Sequence, residues 1–320
     1  MQPTAVLPGA YTVRPLEHGD AEALFELISA YNLAVVGFAD CTLDDIADNL
    51  AEPGFDCETD GWLVLAAGGR AVGYATTFGK GDRQVIDIDV VSRDPAAADW
   101  LFEQTLRRAQ EMGHAHGYTE ITVDAGIYRA DDLLRTLLSN RAFIASTTYQ
   151  RMQIDHLGSI SAPEQPVGAV IRRGAPDDAT RRTAQTVLNE CFRGQFGFVA
   201  RPYDEWHEAR EIRSTFDWSQ LTTLEIDGRA VAIRECSDDF IASENCGYIG
   251  RLGVLEEARG RGLGKFLLRD AFALDAAAGR SGTILHVDTN NPTPALGLYL
   301  SVGMTATLAI DVWRRVLPVE

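Results

Sequence analysis

The sequence predicts an α/β (α+β) protein of two like domains, each a mixed, mostly antiparallel sheet flanked by helices. Three observations carry this. The chain has 320 residues, a length that suits two domains. Short stretches of its first half return, in order, in its second half. Both halves also show the same succession of strand, helix, hairpin, strand, helix and strand.

The repetition is the first of these to justify. Val13-Arg14 with Asp20-Ala21 returns as Ile171-Arg172 with Asp178-Ala179, at an offset of 158 residues. Gly69-Arg70-Ala71-Val72 returns letter for letter as Gly228-Arg229-Ala230-Val231, at an offset of 159. Val123-Asp124 returns as Val287-Asp288 at 164, and Leu138-Ser139 as Leu300-Ser301 at 162. Four ordered matches at a nearly constant offset indicate a duplication.

Each half opens on a strand (Tyr11–Arg14; Ala169–Arg172) and a helix starting near an aspartate (Asp20; Asp178). A hairpin follows, Trp62–Ala66 with Ala71–Thr76 and Leu221–Ile226 with Ala230–Glu235. Gly68-Gly69 and Asp227-Gly228 supply the turns, because a two-residue hairpin turn needs positive φ. The strand-helix-strand unit that comes next is a crossover, which makes the sheet mixed. Between the halves, Asp155 to Gly168 holds Gly158, Ser159, Ser161, Pro163 and Pro166, the composition of a linker. The expected division is a first domain over 1–155, a linker over 156–168 and a second domain over 169–320.

Composition narrows the class. The chain is 46% hydrophobic and 23% charged, as in a soluble globular protein. No run of eighteen apolar residues occurs, so no membrane span or membrane partner is expected. Met1 to Ala10 has no basic residue and no long apolar stretch, which argues against a secretory signal. The five cysteines are odd in number and form no C-x-x-C pair, which suits reduced thiols in a cytoplasmic protein without a zinc site. His114 and His116 lack a third ligand. A formal net charge of −17 argues against nucleic acid. That charge suits either solubility or the steering of a cationic substrate.

The chemistry concentrates in the second half. Tyr248–Val254 reads as a buried strand. Lys265–Ala278 reads as a helix with Phe266, Leu267, Ala271, Leu274 and Ala277 on its apolar face, and Gly279 ends it. Between them lies Arg259-Gly260-Arg261-Gly262-Leu263-Gly264. Glycines allow backbone N–H groups to turn toward one point, and a helix N-terminus adds unpaired donors and a partial positive charge. The segment is thus a cradle for a diphosphate. It is not a Walker loop, since Gly264-Lys265 is followed by Phe266. Nor is it a dinucleotide fingerprint, since Gly260, Gly262 and Gly264 are spaced G-x-G-x-G. The spacing is R-x-x-G-x-G, at Arg259, Gly262 and Gly264. Downstream, the strand Thr283–Asp288 leads to Asn291-Pro292, a capping asparagine and a first-turn proline, and then to a helix carrying Ala295, Leu298 and Tyr299.

These two motifs together resemble the GNAT superfamily of acyl-CoA-dependent N-acyltransferases, specifically from about Tyr248 to Met304. The resemblance implies acetyl-CoA as co-substrate and no metal. It places the cofactor on Leu252, Gly253 and Val254 of the strand, on Arg259, Gly260, Arg261, Gly262, Leu263, Gly264 and Lys265 of the loop, and on Asn291. It makes Tyr299 the acid that protonates the leaving thiolate, with an oxyanion donor near Val254. For the base, Glu244 is the nearest upstream carboxylate, with Asp288 and a water relay as alternatives. Trp206, His207 and Trp218 suit core packing, or the acceptor pocket.

Tandem members of this superfamily, including mycothiol synthase-like enzymes, commonly have one degenerate half. Here the first half reads Ser92-Arg93-Asp94-Pro95-Ala96-Ala97-Ala98-Asp99 where the cradle belongs, with no glycine and two anions. At an offset of 162, Tyr299 falls on Leu137. The expected activity is therefore acetyl transfer, in the second half, to a primary amine of a small molecule by direct attack. Alternatives are a mycothiol synthase-like acetylation of a cysteinyl amine, a protein-lysine acceptor, and an acyl-CoA-binding sensor without turnover. The two halves are expected to act as a pseudo-dimer within a monomer.

Overall fold

The computed structural model describes residues 7–291, 293 and 295–319. Most of the N-terminal stretch examined for a leader, and Pro292 at its expected first-turn position, lie outside them. In chain order the elements are β1 (Thr12–Pro15), α1 (Ala21–Val35), α2 (Leu43–Leu50), α3 (Cys57–Asp60), β2 (Gly61–Leu65), β3 (Ala71–Lys80), β4 (Val85–Ser92), α4 (Pro95–Ala115), β5 (Glu120–Tyr128) and α5 (Asp132–Asn140). They continue with β6 (Ile144–Asp155), β7 (Ala169–Arg173), α6 (Asp178–Phe192), α7 (Tyr203–Glu211), β8 (Leu221–Ile226), β9 (Arg229–Ser237) and α8 (Ile241–Glu244). The last are β10 (Cys246–Val254), α9 (Leu263–Ala277), β11 (Gly282–Asp288), α10 (Ala295–Ser301) and β12 (Thr305–Pro318). Among the described residues no helix is long and apolar enough to cross a membrane.

Local chemistry explains the boundaries. Asp94, Asp131 and Asp177 each accept a hydrogen bond from the first turn of the helix that follows, which fixes the starts of α4, α5 and α6. The β8–β9 hairpin turns on Asp227 and Gly228, whose φ values are +52° and +78°.

The chain forms two compact units that do not follow its halves. One contains the described residues up to Thr148 together with those from Ile310 onward, and the other runs Tyr149–Ala309. Residues 156–168 form neither helix nor strand, but the division does not fall there. The reason is the last strand of each half. In the first unit β1, β2, β3 and β4 pair antiparallel, β4 and β5 pair parallel, and Ile310–Pro318 of β12 pair antiparallel with β5. In the second, β7, β8, β9 and β10 pair antiparallel, β10 and β11 pair parallel, and Tyr149–Asp155 of β6 pair antiparallel with β11. Each unit thus takes its sixth strand from the other half of the sequence.

The duplication survives this exchange, with its register corrected. The parallel ladders run Val85↔Thr122 to Ile88↔Ala125 and Cys246↔Gly282 to Ile249↔Leu285, offsets of 161 on one strand and 160 on the other. The Val-Asp match at 164 is therefore about four residues out of structural register. The turn after the last helix gives the same answer. Phe143 N–H bonds Leu138 C=O as Met304 N–H bonds Tyr299 C=O, 161 residues apart. The counterpart of Tyr299 is Leu138 rather than Leu137.

One apolar core fills the first unit, around Leu16, Leu63, Ile86, Leu101, Phe102 and Leu134. In the second unit, one cluster gathers α6, β9 and α9 around Leu188, Ile233 and Leu267. Another gathers Met152, Ile249, Leu268, Leu285 and Met304 with Tyr299.

Candidate active site

The site begins where β10 and β11 part. Their ladder ends at Ile249↔Leu285, while β10 continues to Val254, held only from the β9 side. The β9 register also slips between Ile249 and Arg251, so Gly250 is a bulge. Beyond it, Leu252, Gly253 and Val254 pair with Arg234, Ile233 and Ala232, and their other edge faces the opening. Gly253 is required by packing: a Cβ there would lie 2.6 Å from the Cβ of Cys191 on α6.

The loop then turns into α9. Gly260 and Gly262 have φ of +76° and +77°, and an ideal Cβ on either would meet nothing within 4 Å. This is open space over left-handed glycines, as a cradle requires. Gly262 is the N-cap and no side chain caps it. The first intrahelical bond is from Phe266 N–H to Gly262 C=O, so the N–H groups of Leu263, Gly264 and Lys265 stand ahead of the ladder. Leu263 itself is buried and anchors the turn, and Gly264 lets Leu298 of α10 approach to 3.2 Å of where its Cβ would be. Arg261 is exposed and Lys265 half-buried, and neither is paired with a carboxylate among the described residues. Arg259 differs from expectation in part: its Nε donates to Val254 C=O at 3.1 Å, so it also braces the loop.

Tyr299 lies in the apolar cluster that contains Ile249 and Leu285, the residues at the end of the parallel ladder. Its side chain is buried, and burial pushes the phenol up to about 12. No hydrogen bond engages its hydroxyl among the described residues. A protonated, unpartnered phenol beside the parted strands is what an acid needs. Asn291 accepts from the N–H and hydroxyl of Thr293 at 2.9 and 2.8 Å, so its carbonyl shapes the loop before α10. That helix begins at Ala295 rather than directly after Asn291.

The expected base is not where a free carboxylate would be. Glu244 ends α8, before the first residue of β10, and both its oxygens lie 2.5 Å from Nη2 of Arg151. Arg151 is almost wholly buried, which makes Glu244 its counter-ion. Asp288 accepts from Asn290 N–H at 2.9 Å, holding its own turn. Sequence reasoning missed His286. This ring on β11 lies 3.1 Å from the Tyr248 hydroxyl, and burial, followed by the charge of Arg151, brings it down to about 4. The available signal was alternation: Leu285 and Val287 face the apolar cluster, so His286 faces the other way.

Trp206, His207 and Trp218 form one aromatic cluster, with Trp206 buried and the guanidinium of Arg181 4.3 Å above Trp218. His116 Nδ1–H donates to the Met112 carbonyl, 2.9 Å away, as part of the end of α4.

The first unit lacks the cradle. Two residues separate β4 from α4, against eight between β10 and α9. Asp94 Oδ1 accepts from Ala96 and Ala97 N–H at 3.0 and 2.9 Å, and Oδ2 accepts from Tyr11 at 2.7 Å. Partial burial would raise this carboxyl, but those donors outweigh it and hold it below the usual range. A carboxylate of the chain already occupies the anion position of α4.

Residues 184–304 match the acetyltransferase (GNAT) family. The second unit carries a GNAT-family domain. Over its whole length the chain shares its fold with solved proteins, one of them a tandem GNAT protein. A GCN5-related N-acetyltransferase from Sphaerobacter thermophilus superposes with a TM-score of 0.81 at 21% identity, covering 98% of each chain. A tandem GNAT protein from the clavulanic acid biosynthesis pathway gives 0.70 at 17%, covering 95% of this chain and 98% of that one. Saccharomyces cerevisiae N-myristoyltransferase with bound myristoyl-CoA gives 0.61 at 10%, covering 98% of this chain and 80% of that one. At these identities the likeness is one of fold. No curated protein matches the chain significantly. Acyl-CoA-dependent acetyl transfer is the general chemistry of the family.

Proposed function

We propose that the second unit transfers an acetyl group from acetyl-CoA to a primary amine of a small molecule. The observation that carries this is the conjunction at one end of β10. A helix N-terminus with left-handed glycines, the parted strands and a tyrosine hydroxyl without a hydrogen bond among the described residues lie within one short stretch of fold. The five cysteines all carry free thiols, as a reducing compartment such as the cytoplasm would keep them.

The residues fit the group. The N–H donors of Leu263, Gly264 and Lys265, with the charges of Arg261 and Lys265, would hold its diphosphate. The open edge of β10 from Gly250 to Val254 would hold its amide-bearing arm, as one strand pairs with another. Bound there, acetyl-CoA supplies an activated acyl carbon and a thiolate leaving group. The chain's part is to orient that carbon, to offer an N–H of the open β10 edge to the developing oxyanion, and to hold a proton on Tyr299 for the sulfur. Burial of Tyr299 keeps that proton in place across the working pH range.

The test is release of free thiol from acetyl-CoA with a panel of amines, using wild type and Tyr299→Phe. The substitution keeps the ring and removes the proton. Wild type should release thiol in an amine-dependent way. The variant should lose about 10²-fold in kcat with acetyl-CoA affinity retained. Acetyl-CoA binding without amine-dependent release would favour a sensor, and full turnover by the variant would remove Tyr299 from the chemistry.

A further inference from the structure

Acetyl transfer needs a group to take the amine's proton, and the geometry points to His286. Leu285 is the last residue of β11 paired with β10, so His286 stands at the point where the strands separate, alongside the Gly250 bulge. Its neighbours Leu285 and Val287 lie in the cluster with Tyr299. Alternation along the strand therefore places His286 on the opposite face of the sheet. The acid and the imidazole flank the same opening from its two sides.

Each element packed against the ring contributes a defined group. From β10, the Tyr248 hydroxyl lies 3.1 Å from Nδ1, and its ring meets the imidazole edge-on at 5.7 Å. From β6, Arg151 is the cross-strand neighbour of His286 and is neutralised by Glu244. From the segment before α8, the Phe240 ring lies 6.3 Å away, and the charge of Asp239 opposes the downward shift of the ring. The ring is half-buried rather than sealed in the core. Burial and Arg151 keep it neutral, so a lone pair is present at physiological pH. Glu244 and Asp288 are both committed to other partners.

We propose that His286 is the acceptor-side base, positioned by Tyr248; this rests on the acetyl-transfer reading above. Nδ1–H donates to the Tyr248 oxygen, which leaves the Nε2 lone pair facing the amine. The amine nitrogen bonds the acyl carbon and the carbon–sulfur bond breaks. The nitrogen's proton passes to Nε2, and the sulfur takes the proton of Tyr299. Imidazolium then loses its proton to solvent and the phenolate regains one, so atoms and charge balance. A weak base suffices because the nitrogen becomes strongly acidic once its lone pair is committed to the amide.

The test has two arms. In 15N-histidine-labelled protein without ligands, the signal missing from His286→Gln is that of His286. It should show the neutral Nδ1–H tautomer at pH 7 and change on Tyr248→Phe. The Nε2–H tautomer would overturn the assignment, whatever the activity. In kinetics with the best amine of the panel, His286→Gln should lower kcat about 10²-fold or more. Acetyl-CoA affinity should stay within threefold, and added imidazole should restore part of the rate. Turnover within threefold of wild type overturns the proposal. So does loss of turnover with a matching loss of acetyl-CoA affinity, since the ring would then only support the fold. Absence of turnover by the wild type with every amine would instead remove the acetyl-transfer reading, and with it the role given to this ring.

Discussion

Glu244→Gln separates two roles for the carboxylate nearest β10. The structure makes Glu244 the counter-ion of Arg151, whose side chain is 1% exposed while that of Glu244 is 25% exposed. Removing one partner of a buried pair leaves an uncompensated charge and costs about 3–5 kcal/mol. Glu244 is a quarter exposed and glutamine still offers one acceptor, so the lower end, about 3 kcal/mol, applies. For a unit of this size, each kcal/mol moves Tm by about 2–4 °C, so a fall of roughly 6–12 °C is expected. The pair should couple: adding Arg151→Met to Glu244→Gln should recover most of the loss, because an apolar replacement removes the buried charge as well. Scanning calorimetry of the single and double variants measures this, and kcat at a temperature where all are folded should stay within about fivefold. An unchanged Tm with kcat reduced about 10²-fold would refute the reasoning and return Glu244 to the role of base.

Other consequences follow from the same geometry. Gly262→Asp should abolish acetyl-CoA binding while leaving a folded protein, since a Cβ there meets nothing, although the left-handed φ costs about 1–2 kcal/mol; calorimetry with unchanged affinity would contradict the cradle. The same titration on wild type should give one acetyl-CoA per chain, because Asp94 fills the corresponding helix end in the first unit; two would contradict this. A fragment from Gly168 to Glu320 lacks Tyr149–Asp155, the residues that pair with β11, and should not fold cooperatively. A sharp unfolding transition matching the second unit of the full chain would count against the strand exchange. Finally, His286 is held below its ordinary value of 6.5 to about 4, so the unfolded chain binds more protons between those values. Its contribution to stability is full above pH 6.5 and falls away as pH drops toward 4. His286→Gln should flatten Tm against pH across that window, and an equal slope in both proteins would show the ring is not desolvated.

The sequence by itself determined the duplication, the hairpins, the starts of α1 and α6 and the glycine-rich turn into α9. Each of these is local. A positive-φ turn needs glycine or a residue like Asp227, a helix start needs an acceptor like Asp177 or an uncapped glycine like Gly262, and a diphosphate loop needs both within a few residues. The absence of a glycine-rich turn before α4 was legible for the same reason, since Asp94 and Pro95 sit side by side in the chain. Tertiary structure alone decided what depends on residues far apart. The sixth strand of each unit is exchanged because Tyr149–Asp155 and Ile310–Pro318 present ladders whose partners are chosen by space, and period-two alternation does not name the neighbour. Glu244 looked available because Arg151, its counter-ion, lies 93 residues earlier. His286 looked like one polar position in a buried strand, because only the ending of the β10–β11 ladder shows that the strands part beside it. Position along the chain fixes which groups can turn or cap, whereas charge compensation and strand separation are properties of the packed sheet.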